Sequence, residues 1–109
     1  MEKLGSASDV PPGSMKGFTS AGKKLLVANI DGTFHAMDAV CSHMRGDLVK
    51  GKLEKNVVTC PRHGSRFDVT TGKVVGNVSY LIKTLTRRMA SDLKTYRVTV
   101  QDGSLFVDL

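Results

Sequence analysis

An all-β fold is predicted by three features of the chain: two Asp-Gly pairs set between apolar runs, Gly and Pro punctuation along its length, and a scarcity of helical periodicity. At 109 residues, 40% hydrophobic and 24% charged, it has material for one core and length for one domain. A multidomain enzyme and a disordered chain are both excluded. The elements follow in order. Val10, Pro11, Pro12 and Gly13 form a turn ahead of an apolar run over residues 24–30; Asp31 and Gly32 then turn the chain into a second run over 33–37. Residues 48–54, 57–59 and 66–69 read as short strands, and a C-terminal hairpin pairs residues 96–100 with 104–109 through Asp102 and Gly103. One segment departs from this pattern. Tyr80, Leu81, Leu85 and Met89 fall near helical spacing, with Lys83, Arg87 and Arg88 between them, which predicts a short basic surface helix or a long loop.

Sixteen basic side chains against ten acidic ones leave a net charge of +6, which favours acidic partners. No apolar run approaches the roughly 18 residues of a membrane span, and the N-terminus lacks the apolar centre of a signal peptide. A cytoplasmic location, with neither membrane nor nucleic acid as partner, is therefore expected. Two cysteines, Cys41 and Cys60, are too few for a disulfide framework. Taken without their neighbours they fit a single disulfide or two buried thiols.

The neighbours change that reading. Cys41 and His43 form one cluster of metal-ligating side chains, Cys60 and His63 a second, and strand-like sequence separates them. Thiolate and imidazole suit iron, zinc or copper, whereas calcium and magnesium take oxygen donors. Zinc fingers usually group their cysteines and then their histidines, but here each loop carries one of each. Such an order suits a binuclear iron site in which the cysteines take one iron and the histidines the other. A structural zinc site on the same four side chains remains an alternative. His35, in a predicted strand, reads as an ordinary half-buried side chain, Met37 and Met44 as core filling, and Lys50, Lys52 and Lys55 as a solvated face.

Cys41-Ser42-His43, followed by Cys60-Pro61-Arg62-His63-Gly64-Ser65, resembles the paired motif of Rieske-type ferredoxins, the soluble low-potential Rieske 2Fe-2S proteins. The likeness extends to Val10–Gly13, Asp31-Gly32, Leu48 with Gly51, Phe67-Asp68, Thr71-Gly72 and Asp102-Gly103, and it lapses over residues 75–93. It implies a single domain, an antiparallel sandwich or partly open barrel, with a basal part (1–37 and 76–109) and an inserted cluster-binding lobe (about 38–75). It also implies a Rieske 2Fe-2S cluster held by Cys41 and Cys60 on the inner iron and by His43 and His63 on the outer one. Amides at residues 44–46 and 64–65, and the Ser65 hydroxyl, become candidate donors to the cluster sulfurs. High-potential relatives brace the two loops with a disulfide at the positions of Gly46 and Arg62, and place a tyrosine where this chain has Phe67. Both departures point toward the low end of the roughly −150 to +300 mV Rieske range. No proline follows Pro61, so a proline-bearing covering loop is missing from residues 75–93.

By the same resemblance the chain is an electron carrier and no enzyme, passing single electrons between a reductase and an oxygenase or other acceptor, with acidic docking surfaces on its partners. The alternatives are a small Rieske subunit of a larger oxidoreductase such as a nitrite reductase, and a structural zinc module. An oxygenase catalytic subunit needs a further iron site of two histidines and a carboxylate, and only His35 remains once the cluster is built.

Overall fold

The computed structural model describes residues 1–41, 46–62, 64–76 and 91–109. Their strands form three antiparallel sheets that stay open and do not close into a barrel. The first sheet joins β1 (Glu2–Ser6), β11 (Ser104–Val107) and β10 (Val98–Gln101), in that spatial order. The second runs β2 (Met15–Ser20), β3 (Lys23–Ile30), β4 (Thr33–Asp38) and β9 (Thr95–Tyr96). The third is formed by β5 (Lys52–Glu54), β6 (Val57–Thr59), β7 (Arg66–Asp68) and β8 (Val74–Gly76).

β3 links the layers, with one core on each of its faces. Residues 25–29 are all buried, because β2 and β4 flank the strand and both of its faces are covered. Alternation sends Leu25 and Val27 into a core with Val10, Ala36, Tyr96, Leu105 and Val107. Leu26 and Ala28 enter the other core, with Met37, Leu48, Val58, Phe67 and both cysteines. A strand buried on two faces has no polar register, which is why residues 24–30 read as a continuous apolar run. The predicted hairpins are present. Asp31 and Gly32 (φ 53° and 90°), like Asp102 and Gly103 (51° and 75°), occupy the left-handed region that a two-residue hairpin turn requires. Asn29 secures the first turn: its amide donates to the Val10 carbonyl and its Oδ1 accepts from Gly32 N–H, both at 2.8 Å.

Three predicted strands are revised. Residues 48–54 split into a 3-10 turn, Leu48–Lys50, and β5. Asp47 caps that turn by accepting from Val49 N–H at 3.1 Å. Residues 96–100 break at Arg97, where Tyr96 pairs with Ala36 in the second sheet and Val98 pairs with Val107 in the first. Residues 104–109 form a strand only as far as Val107. β1, β2 and β8 were not legible beforehand. The predicted helix or loop through Tyr80, Leu81, Leu85 and Met89 lies outside the described residues. Beyond it the chain returns to the third sheet, where Leu93 N–H donates to Gly72 O at 2.7 Å and Asp92 accepts from Val74 N–H at 2.9 Å.

Candidate metal centre

Two loops leave the ends of β4 and β6, and each carries a cysteine at its neck. In the first, Cys41 N–H donates to Gly46 O at 2.8 Å, beside a bridge between Val40 and Asp47. In the second, Cys60 N–H donates to Ser65 O at 2.7 Å and Gly64 N–H to Cys60 O at 3.1 Å. Backbone hydrogen bonds thus close both loops at the base. Cys41 is 1% exposed and Cys60 3%, and neither is in a disulfide. Leu48, Val58, Phe67 and Val69 surround them in one dry cluster. His43, His63 and Met44 lie outside the described residues.

Gly46 joins the two loops. A β-carbon there would lie 2.7 Å from Cys60 Sγ, closer than real β-carbons approach such an atom, and a tight 3.0 Å from Arg62 Cγ. The missing side chain is therefore what lets the first loop lie against the sulfur of the second. The aliphatic stem of Arg62 lies against Gly46.

Ser65 supplies a second mark of a bound group. Its Oγ is fully buried and has no hydrogen-bond partner among the described residues. A buried hydroxyl left unpaired costs about 1–3 kcal/mol, a cost that a bound group able to accept from it would remove. Two buried thiols that are not in a disulfide, with an orphaned buried donor in the second loop, fit a metal–sulfide group. Gly64 N–H, a candidate donor by sequence, is engaged by Cys60 O within its own turn.

One polar group braces the second sheet and another the end of β7 in the third. Tyr96 Oη donates to Asp38 Oδ1 at 2.6 Å and accepts from Lys23 Nζ at 3.1 Å. Burial raises the tyrosine above its usual 10.0, Asp38 adds to the rise, and Lys23 opposes it. Lys23 is raised above 10.5 by its hydrogen bond to Tyr96 and by the charges of Tyr96 and Asp38. Asp68 accepts from Thr70 N–H at 2.9 Å and from Thr70 Oγ1 at 2.6 Å. Burial pushes its pKa upward, but these bonds, one from Asn56 and the nearby His35 outweigh that and hold it below 3.8. His35 is half-buried in β4, as expected.

Sequence reasoning missed the position of Lys50 and Lys52. They line a cleft of about 460 Å³ together with Thr59, Cys60 and Pro61. A larger cleft, of about 610 Å³, lies between the Asp31 turn and Lys55, Asn56 and Thr70 and touches neither cysteine. No helix among the described residues is long and apolar enough to cross a membrane.

Comparison with known proteins places these features in a family. A sequence profile of the Rieske 2Fe-2S domain matches residues 1–85. The ferredoxin component of the naphthalene 1,2-dioxygenase system of Pseudomonas putida is 32% identical over 102 residues, covering 94% of this chain and 88% of that protein. The ferredoxin component of biphenyl 2,3-dioxygenase from Rhodococcus jostii (strain RHA1) is 34% identical over 109 residues, 100% of this chain and 92% of its own. Among solved structures, a chain in the complex of reduced oxygenase and oxidized ferredoxin in carbazole 1,9a-dioxygenase superposes with a TM-score of 0.82 at 28% identity. That match covers 97% of this chain and 99% of the other.

Proposed function

The chain belongs to the Rieske 2Fe-2S domain family, and on that premise we propose that Cys41, His43, Cys60 and His63 hold its cluster and that it carries electrons from a reductase to an oxygenase in the cytoplasm. It is an electron-transfer protein and not a catalyst: its relatives are the ferredoxin components of dioxygenase systems, and its cofactor is a Rieske 2Fe-2S cluster. When bound, that group supplies one-electron chemistry, with the added electron favoured on the histidine-ligated iron because imidazole is neutral and thiolate is not.

The residues of the chain divide the remaining work. Cys41 and Cys60 present sulfur from a dry interior, where a thiolate is tolerable only when a cation compensates its charge. Ser65 Oγ would be available to donate toward a cluster sulfur and so to stabilise negative charge there. Leu48, Val58, Phe67 and Val69 exclude water from the cysteine side. Cys41, His43, Cys60 and His63 together with two sulfides would satisfy both irons of such a cluster and would leave no position open to substrate. The domain divides into a basal part (1–37 and 76–109) and a lobe (about 38–75), a reading supported by the third sheet lying within residues 52–76. Nothing favours the nitrite reductase subunit or the zinc module over this reading.

The observation that carries the assignment is the approach of Gly46 to Cys60 Sγ between two loops with the Cys-x-His and Cys-x-x-His pattern, the second of which holds the orphaned Ser65 hydroxyl. Iron, sulfide and zinc analysis of the purified protein, with visible and EPR spectra before and after dithionite, tests it. Two irons and two sulfides per chain with a Rieske-type reduced signal are expected, by the family's cluster composition. Colourless protein from iron-replete cells with one zinc per chain would overturn the assignment.

A further inference from the structure

The positive charge of the chain is unevenly placed. Residues 1–41 and 91–109, which build the first two sheets, hold six basic and seven acidic side chains. Residues 46–76, around the cysteines, hold six basic and three acidic, and the remaining positions add four basic side chains and no acidic one. The whole net charge of +6 therefore belongs to the cysteine-bearing part and the segment that follows it. Within that part, Lys50 and Lys52 are exposed and border the cleft whose wall includes Cys60 and Pro61. Neither lysine amine enters an ion pair or side-chain hydrogen bond among the described residues. Glu54 is the cleft's one acidic group.

We propose that this cleft is the docking surface for a redox partner, and that it takes an acidic protein surface whose carboxylates pair with Lys50 and Lys52. The proposal rests on the carrier reading above. Two exposed ammonium groups beside a buried ligand thiolate favour, over other faces, an encounter that brings the partner close to the cofactor. The basal sheets, nearly neutral, give no such preference. Solvated lysines keep most of their hydration until a carboxylate replaces it, so their effect is on the rate and orientation of encounter more than on final affinity.

A gold electrode coated with a carboxylate-terminated monolayer serves as the acidic surface, and voltammetry of the holoprotein reads the rate of interfacial electron exchange. The wild type is expected to exchange electrons readily at low ionic strength and to lose that rate as salt is added. The double variant K50E/K52E is expected to be slower by about tenfold or more, with unchanged EPR spectrum and solution potential, and K50Q/K52Q to fall between. A basal swap of equal charge, K3E/R97E, is expected to stay within about twofold of wild type. If the basal swap slows exchange as much as the cleft swap, or the cleft swap leaves it unchanged, the docking proposal is overturned while the intact EPR signal keeps the carrier assignment. A wild type without that signal would remove both. Retention of a DNA duplex that K50E/K52E loses, with carboxylate-surface exchange unaffected, would place nucleic acid in the cleft and also overturn the proposal.

Discussion

Single atoms decide how the two cysteine loops meet, and Gly46 shows it most directly. Adding one methyl group there sets a carbon 2.7 Å from Cys60 Sγ, so either the sulfur or the loop must move. Gly46→Ala is expected to lower the iron bound per chain and to cost the apoprotein about 1–3 kcal/mol, the usual range for overpacking. Iron-to-protein ratios and chemical denaturation check both; full iron content with wild-type stability would contradict the geometry. Ser65 makes a more discriminating case because its effect changes sign with the cofactor. In the apoprotein the buried hydroxyl has no partner among the described residues, so Ser65→Ala should stabilise that form by about 1 kcal/mol. In the holoprotein the same change removes a donor toward sulfur and should lower the reduction potential. Destabilised apoprotein with an unchanged potential would mean that the hydroxyl serves packing alone.

Elements were legible where pairing and local pattern agree. The Asp-Gly hairpins and residues 57–59 could be read because turn chemistry and apolar alternation point the same way. β1 and β2 could not: Glu2–Ser6 and Met15–Ser20 contain few β-branched residues and become strands by pairing with β11 and β3, which are distant in sequence or joined by the unadvertised Ala21-Gly22 turn. The break at Arg97 is likewise tertiary, since Tyr96 must stay in the second sheet to reach Asp38. Of the site, the spacing of the cysteines and histidines was readable, while the approach of Gly46 to Cys60 and the cleft beside Lys50 depend on the two loops folding against each other. The Tyr96 clasp also sets an alkaline limit. Its phenol is raised above 10.0 and Lys23 above 10.5, so the folded state favours both protonated forms. Their stabilisation is complete below the unfolded values and drains as pH rises through the raised folded ones. Tyr96→Phe should cost about 1 kcal/mol at neutral pH and flatten the loss of stability between about pH 9.5 and 11. Denaturation midpoints across that range decide it, and an unflattened curve would show that other groups set the limit.

At the scale of the molecule, the basal sheets and the cysteine region are coupled through one strand whose two faces belong to different cores. Leu25 and Leu26 are adjacent in β3, chemically identical and each 0% exposed, yet the first packs with Leu105 and Val107 and the second with Leu48, Phe67, Cys41 and Cys60. Truncating either to alanine leaves a cavity costing about 2–5 kcal/mol, so global stability alone cannot separate them. Their local consequences differ. A cavity at Leu26 opens on the core that seals the cysteines and admits motion or water there, whereas one at Leu25 lies on the far side of the strand. Leu26→Ala is therefore expected to release iron to a chelator faster than Leu25→Ala when the two are compared at temperatures that equalise their unfolding free energies. Equal release under those conditions would mean that the cysteine region opens only with the whole molecule, and that β3 transmits damage on either face without distinction.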